Sequence, residues 1–271
     1  RERKLPPQVV ENLKKAWHLD DPLWVQYGRY LGGLVRGDLG PSLSHPGVSV
    51  NEIIADHFPF SLTLGLVALA FALVFGVSLG MFAAARQNRW PDHLISGFGH
   101  LAVSTPSFVI GPLLILVVSL QLGWLPPAAI DGPTSYILPG ITLGLVLMAA
   151  IIRLTRAGFL DVLSQDYIRT AHAKGLSERS VLLRHALRPG ILPVLVFLGP
   201  ATADVISGAV VVENIFDIPG LGAYFVNSVA DRDYTVLTGI SVFYVVILMA
   251  LNLVVDLTQA ALDPRAREVV A

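Results

Sequence analysis

The stretch DYIRTAHAKGLSERSVLLRHALRPGILP, Asp166 to Pro193, is polar and mostly cationic inside a chain that is otherwise apolar. Hydrophobic residues make up 54% of the 271 positions and charged residues 14%, with mean hydropathy +0.64. Soluble domains carry about 25% charged residues, so this is the composition of a membrane protein. The segment is then a break between apolar spans. Its local signals predict two short helices. The first runs from Gln165 to Lys174 and is closed by Gly175 in the left-handed conformation; the second, Glu178 to Leu187, is capped by Ser177 and ends before Pro189. The two meet at an elbow. Ala171, Ala173 and Gly175 are small enough to admit another backbone, Tyr167, Ile168 and Leu176 offer apolar anchors, and Arg169, Lys174 and Arg179 supply charge. Such a surface suits helix-in-groove docking of a partner; a loop made basic only by membrane topology is the alternative.

A bilayer core takes about 20 mostly apolar residues per helix. Five segments qualify: roughly Phe58 to Ala85, a stretch within Leu94 to Leu125, Tyr136 to Ile152, Gly190 to Val212, and Tyr234 to Val255. The second is too long for a straight span and contains Pro106 and Pro112, which predicts a kink or a slanted insertion. With the C-terminus in the cytoplasm, the inner segments hold Arg86 and Arg89, then Arg153, Arg156, Arg169, Lys174, Arg179, Arg184 and Arg188, then Arg265 and Arg267. The short outer loops hold only Arg232, as the positive-inside rule requires. Residues 1–57 are then extracytoplasmic, and their Lys and Arg count for little because long segments translocate largely regardless of charge. No signal-peptide pattern opens the sequence, and a further span preceding residue 1 is expected to have exported this segment.

Within the outer segment, Pro6 and Pro7 precede a helical pattern of Val9, Val10, Leu13 and Trp17. A second helix begins at Pro22, capped by Asp20 or Asp21, with Trp24, Tyr27, Tyr30, Leu31 and Leu34 as its apolar and aromatic side. GDLGPS, Gly37 to Ser42, reads as a turn. A cap on the membrane surface and a docking surface for an outside partner both fit. Nearer the C-terminus, the run Glu213 to Gly222 has Pro219, Gly220 and Gly222 to stop a helix, and Ile215, Phe216, Ile218 and Leu221 to form an apolar plug at the outer mouth. A gate and a plain structural turn are the two readings. Asp204 sits midway along Gly190 to Val212, with Ser207 close by, and an ionisable group at that depth faces a partner or a wet cavity. Pore lining and helix packing remain equal alternatives for it, while Asp256 simply reaches the interface.

Enzymatic signatures are missing. There is no GxxxxGK[ST] phosphate loop and no HExxH pair, and Ser61, Ser104 and Ser107 lie in apolar runs without a nucleophile-elbow context. His57 and His100 read as interfacial or packing residues rather than metal ligands. Zero cysteines exclude disulfides and thiolate sites. A formal charge of −1 and a pI near 6.7 give no basic face for nucleic acid.

YIRTAHAKGLSERSVLLRHALRPGILP resembles the cytoplasmic "EAA" loop of the membrane permease subunits of bacterial binding-protein-dependent ABC importers. LPPQVVENLKKAWHLDDPLWVQY, GDLGPS, IRLTRAGFLDVL, ENIFDIPGLG, RDY and LDPRAR stand in the order of the first permease subunit in the oligopeptide and dipeptide branch. The loop departs from the general pattern: Glu-Ala-Ala is replaced by Arg169, Thr170 and Ala171, and Ile-x-Leu-Pro by His185, Ala186, Leu187 and Arg188, with the proline one place on at Pro189.

The resemblance implies an all-α polytopic membrane protein, the type I ABC importer (MetI-like) transmembrane domain, with five spans here and a sixth preceding residue 1. It divides the chain into an extracytoplasmic segment, 1–57, and a permease domain, 58–271, with a coupling loop at about 153–189. Coupling to ATPases falls on Tyr167, Ile168, Arg169, Thr170, Ala171, His172, Ala173, Lys174, Gly175 and Leu176. The pathway or its gate falls on Asp204, Ser207, Glu213, Phe216, Pro219, Gly220, Leu221 and Gly222, where Asp204 would attract the amino terminus of a peptide. The chain is expected to be no enzyme and to hold no metal or cofactor, with ATP and Mg on partner subunits. Its partners would be a homologous second permease, two cytoplasmic ATPase subunits, an extracytoplasmic peptide-binding protein, the peptide substrate and membrane lipid, but not nucleic acid. The place is the bacterial cytoplasmic (inner) membrane. Glutathione, a nickel chelate or a peptide-like antibiotic are alternative cargoes, and an ion-coupled secondary transporter is the rival class.

Overall fold

A capping box opens the longest helix. Ser49 Oγ accepts the Glu52 N–H at 3.1 Å and the Glu52 carboxylate accepts the Ser49 N–H at 2.8 Å, so the helix begins at Val50, ahead of the apolar run that marks the span. The computed structural model describes residues 20–128 and 130–262, and only the backbone of residues 203, 204, 206–208 and 259–262. Among these, helices follow in the order α1 Leu23–Val35, α2 Val50–Ala85, α3 Trp90–Ser104 and α4 Ser107–Gln121. They continue with α5 Ile137–Leu163, α6 Asp166–Ala173, α7 Glu178–Gly190, α8 Leu192–Gly208, α9 Val210–Ile215, α10 Leu221–Ala230 and α11 Tyr234–Leu262. An isolated bridge between Pro41 and Ser49 is the only β pairing among the described residues.

Small residues decide how the two central helices meet. Along α2, Leu64, Ala68, Ala72, Gly76, Gly80 and Ala84 recur every four residues and are buried. A Cβ on Gly76 would lie 2.7 Å from Ile151 Cγ2, one on Gly80 2.8 Å from the Ile152 carbonyl, and one on Gly144 2.7 Å from the Ala68 carbonyl. The backbones of α2 and α5 are therefore in contact, the arrangement dispersion packing favours where lipid removes any hydrophobic drive between helices. Neighbouring pairs advance together, from Ala68 and Gly144 to Gly80 and Thr155, so the two helices run parallel. Their Arg-bearing ends, Arg86 and Arg156, accordingly lie on one side, the side the charge pattern assigns to the cytoplasm. There Asp92, 1% exposed, takes a two-pronged bond from Arg156, Nε to Oδ1 at 2.6 Å and Nη2 to Oδ2 at 2.7 Å, which fixes the first turn of α3 on α5.

Among the described residues three helices are long and apolar enough to cross a membrane, and two bent pairs raise the number to five if each is one crossing. In the first pair the expected kink is a sharp one. Chain direction changes by 106° between α3 and α4. Thr105, forced out of the helical region by Pro106, sits at φ −100° and ψ 119° and ends α3. Pro112 lies inside the helix that follows and does not break it. The second pair, α7 and α8, bends by 52°. Here α7 does not stop before Pro189. Residues Val181–Ala186 widen into a π-type turn, and Pro189 then falls inside the last α-helical turn, Leu187–Gly190. The expected span to Val212 is also shorter, since α8 ends at Gly208.

Orientation has a direct test. Cysteines placed at Pro46 and Arg179, both exposed, should react with an impermeant maleimide from opposite faces of the membrane. Labelling of both from one face would overturn the assignment.

Candidate functional site

The elbow forms as its caps dictate. Gly175 takes φ +78°, donates its N–H to the His172 carbonyl at 2.9 Å, and lets Leu176 N–H reach the Ala171 carbonyl at 3.3 Å. Ser177 Oγ accepts the Ser180 N–H at 3.4 Å and opens α7. Facing is where expectation fails. Ile168 and Ala171 are 1% and 5% exposed and pack with Ala84, Phe159, Val181 and Ala186. Neither side chain is free to meet a partner; they seat the elbow on the ends of α2 and α5 because they are the apolar side of an otherwise polar eight-residue helix. Tyr167, Arg169, Thr170 and the run His172 to Leu176 are exposed. Beside them opens a pocket of about 410 Å³ lined by Ala85, Leu163, His172, Glu178, Val181 and Leu182. An apolar floor edged by His172 and Glu178 results.

On the opposite side, the outer run turns back by a different device from the one its glycines suggest. The left-handed residue is Asp217, φ +51°, with the Ile218 N–H returning to the Glu213 carbonyl at 2.8 Å. Gly220 and Gly222 serve close approach instead. A Cβ on Gly220 would collide with the Glu213 carboxyl group, and one on Gly222 would lie 2.9 Å from its Oε2. Glu213 is fully buried. Its Oε1 accepts the Ser61 hydroxyl at 2.6 Å, and Ser61 Oγ in turn accepts the Leu221 N–H at 2.8 Å. Pro219 accepts His57 Nδ1–H at 2.9 Å, and the His57 ring lies 4.2 Å from that of Tyr224. The plug is divided: Phe216 and Ile218 pack with Leu64, Tyr136, Leu138 and Val212, whereas Leu221 joins Val50, Ile53, Val236 and Ile240. The side chains of Asp204 and Ser207 lie outside the described residues.

Ser61 was read from the sequence only as a serine in an apolar run. Finding it requires knowing that α2 and α9 adjoin, which no local signal carries. A second long-range tie has the same character. Asp233 Oδ2 accepts the Ser42 hydroxyl at 2.6 Å and the Ser44 hydroxyl and N–H at 2.8 and 2.9 Å, while Oδ1 accepts the Val236 N–H at 3.0 Å and caps α11. Burial alone would push this carboxyl's pKa up, but the bonds from Ser42, Ser44 and Val236 outweigh it and hold the pKa down at about 2. GDLGPS and RDY are thus two halves of one joint. Among the described residues no three His, Cys, Asp or Glu side chains gather as a metal site.

The profile of a family described as "Binding-protein-dependent transport system inner membrane component" matches residues 76–268. The chain is 43% identical to the oligopeptide transport system permease protein OppB of Haemophilus influenzae, over 98% of this chain and 88% of that protein. Identity is 42% with the dipeptide transport system permease protein DppB of Bacillus subtilis, over 98% and 86%, and 41% with the glutathione transport system permease protein GsiC of Escherichia coli, over 96% and 85%. In fold it resembles the inward-facing MetNI methionine ABC transporter, with TM-score 0.67 over 78% of this chain and 96% of that one at 13% identity. Elbow and outer run both fall within the matched residues, and with relatives this similar along nearly its whole length the chain belongs to the family of binding-protein-dependent transport system inner membrane components.

Proposed function

We propose that this permease subunit moves peptides inward across the cytoplasmic membrane by alternating access, driven by ATP hydrolysed on separate cytoplasmic subunits that dock at the elbow. The observation that carries the reading is the elbow itself. Its inner side, Ile168 and Ala171, is built into the ends of two spans, while its outer side from His172 to Leu176 is exposed. A partner gripping that outer side moves the spans with it. The outer run is the gate on the far side, and Asp204 and Ser207 on α8 belong to the pathway. A homologous second permease completes that pathway, and α11, whose apolar residues from Val245 to Leu257 are mostly exposed, offers a face for it and for lipid. Peptides are brought by an extracytoplasmic binding protein. ATP and Mg belong to the partners.

Peptide is the cargo because the similar permeases are named for oligopeptides, dipeptides and glutathione, which share amide backbones and charged termini. The test is uptake into vesicles holding the chain with its partner subunits. Accumulation of labelled tri- to pentapeptides should require enclosed ATP and the binding protein. Uptake that follows an ion gradient and ignores ATP would overturn the reading.

A further inference from the structure

We propose that Ser61 is a positioning residue of the outer gate: with Glu213 it forms a latch that holds the outer run against α2 and parts each time the outer mouth opens. This rests on the reading of that run as the gate. Three elements meet at one hydroxyl. Ser61 on α2 donates to Glu213 on α9 and accepts from the Leu221 N–H at the start of α10, and all three residues are 0% exposed. Among the described residues Ser61 is the carboxyl group's one side-chain donor, and the Gly222 and Ala223 N–H groups at the start of α10 are its backbone donors. The carboxyl group thus ties the start of α10 to α2 through Ser61, and a buried group that loses this donor keeps its bonds to α10 but not its hold on α2.

The joint at Asp233 shows what a permanent tie looks like in this chain, with four donors on one carboxylate. At Glu213 the link to α2 is one hydroxyl, the other donors lying on α10, and the helix that carries that hydroxyl has a weak point alongside. Pro59, two residues before Ser61, supplies no N–H to the α2 ladder, and Thr63 Oγ1 bonds the Pro59 carbonyl at 2.8 Å. The cytoplasmic end of the same helix places Ala84 in the cluster that seats Ile168 and Ala171. From Ser61 to Ala84 an α-helix spans about 35 Å. One helix therefore touches both the elbow and the outer run, and a shift of the elbow reaches the latch along it.

The test uses the assembled importer in vesicles, the chain being free of native cysteine. Leu221→Cys reports the outer run, and its reaction with an impermeant maleimide from outside should change with nucleotide. Adding Ser61→Ala should raise the resting reaction rate about tenfold at an unchanged amount of complex. If the single Leu221→Cys reacts at one rate in every nucleotide state, the gate reading falls and the latch with it. If it responds to nucleotide but Ser61→Ala leaves the resting rate unchanged, the gate stands and the latch is wrong. A second variant decides the matter even where Ser61→Ala fails to assemble: Ser61→Cys with Leu221→Cys should cross-link on oxidation, stop uptake, and recover it on reduction. A pair that does not cross-link, or a cross-linked complex that transports at the full rate, overturns the latch.

Discussion

Replacing Gly175 with valine is expected to cut ATP-dependent uptake more than tenfold while the chain remains in the membrane. Gly175 holds φ +78°, and a Cβ built there meets no atom within 4 Å. Crowding is therefore not the cause. The cost is backbone strain, about 1–2 kcal/mol for a residue with a Cβ in the left-handed region and more for a β-branched one. Relief of that strain breaks the two bonds that close α6, from Gly175 N–H to His172 and from Leu176 N–H to Ala171, and swings α6 relative to α7. The proposed docking site then loses its fixed angle. Gly175→Asn separates the explanations, because asparagine tolerates this conformation and should keep most of the coupling. ATPase rate and peptide uptake measured on the same vesicles give the readout; a valine variant that transports normally would refute the role of the elbow.

Gly175 and Ser177 could be read from the sequence because capping is settled within four or five residues of chain. The same holds for the break at Pro106, whose place was visible although its angle was not: a proline dictates that Thr105 leaves the helical region but says nothing of where the next helix goes. Hydropathy located the spans yet misjudged their ends. It sees the apolar part of α2 and not the eight polar-flanked residues from Val50 that the Ser49 and Glu52 capping box adds. The facing of α6 was out of reach for another reason. Eight residues make about two turns, and with Ile168 and Tyr167 adjacent, either could have been the buried one until α2 and α5 supplied the surface that took Ile168. Least legible were the contacts that hold the outer side together. Ser61 and Glu213 are 152 residues apart and Ser42 and Asp233 are 191 apart. In each pair the sequence shows an ordinary polar residue, and only helix register makes a partner of it.

The largest loss of stability is expected at Asp233. Asp233→Asn preserves size but turns an amide N–H₂ or a single carbonyl oxygen toward donors, Ser42, Ser44 and Val236, that all need acceptors. Leaving buried donors unmatched, together with the lost charge, should cost about 3 kcal/mol, seen as a lower unfolding temperature in detergent and less assembled complex. The charge-dependent part has a definite sign with pH. The folded carboxyl titrates at about 2, against roughly 4 in an unfolded chain. Since the folded value is the depressed one, its stabilisation is fully present above about pH 4 and disappears as pH falls through the folded value. The gap between the parent and Asp233→Asn should hold from pH 7 to about 5, and about half of its charge-dependent part should be gone by pH 3. Substitution of Ser42 by alanine should narrow the gap in the same window by removing one donor. A gap that does not change between pH 7 and pH 3 would mean that the carboxylate acts at this joint by shape alone.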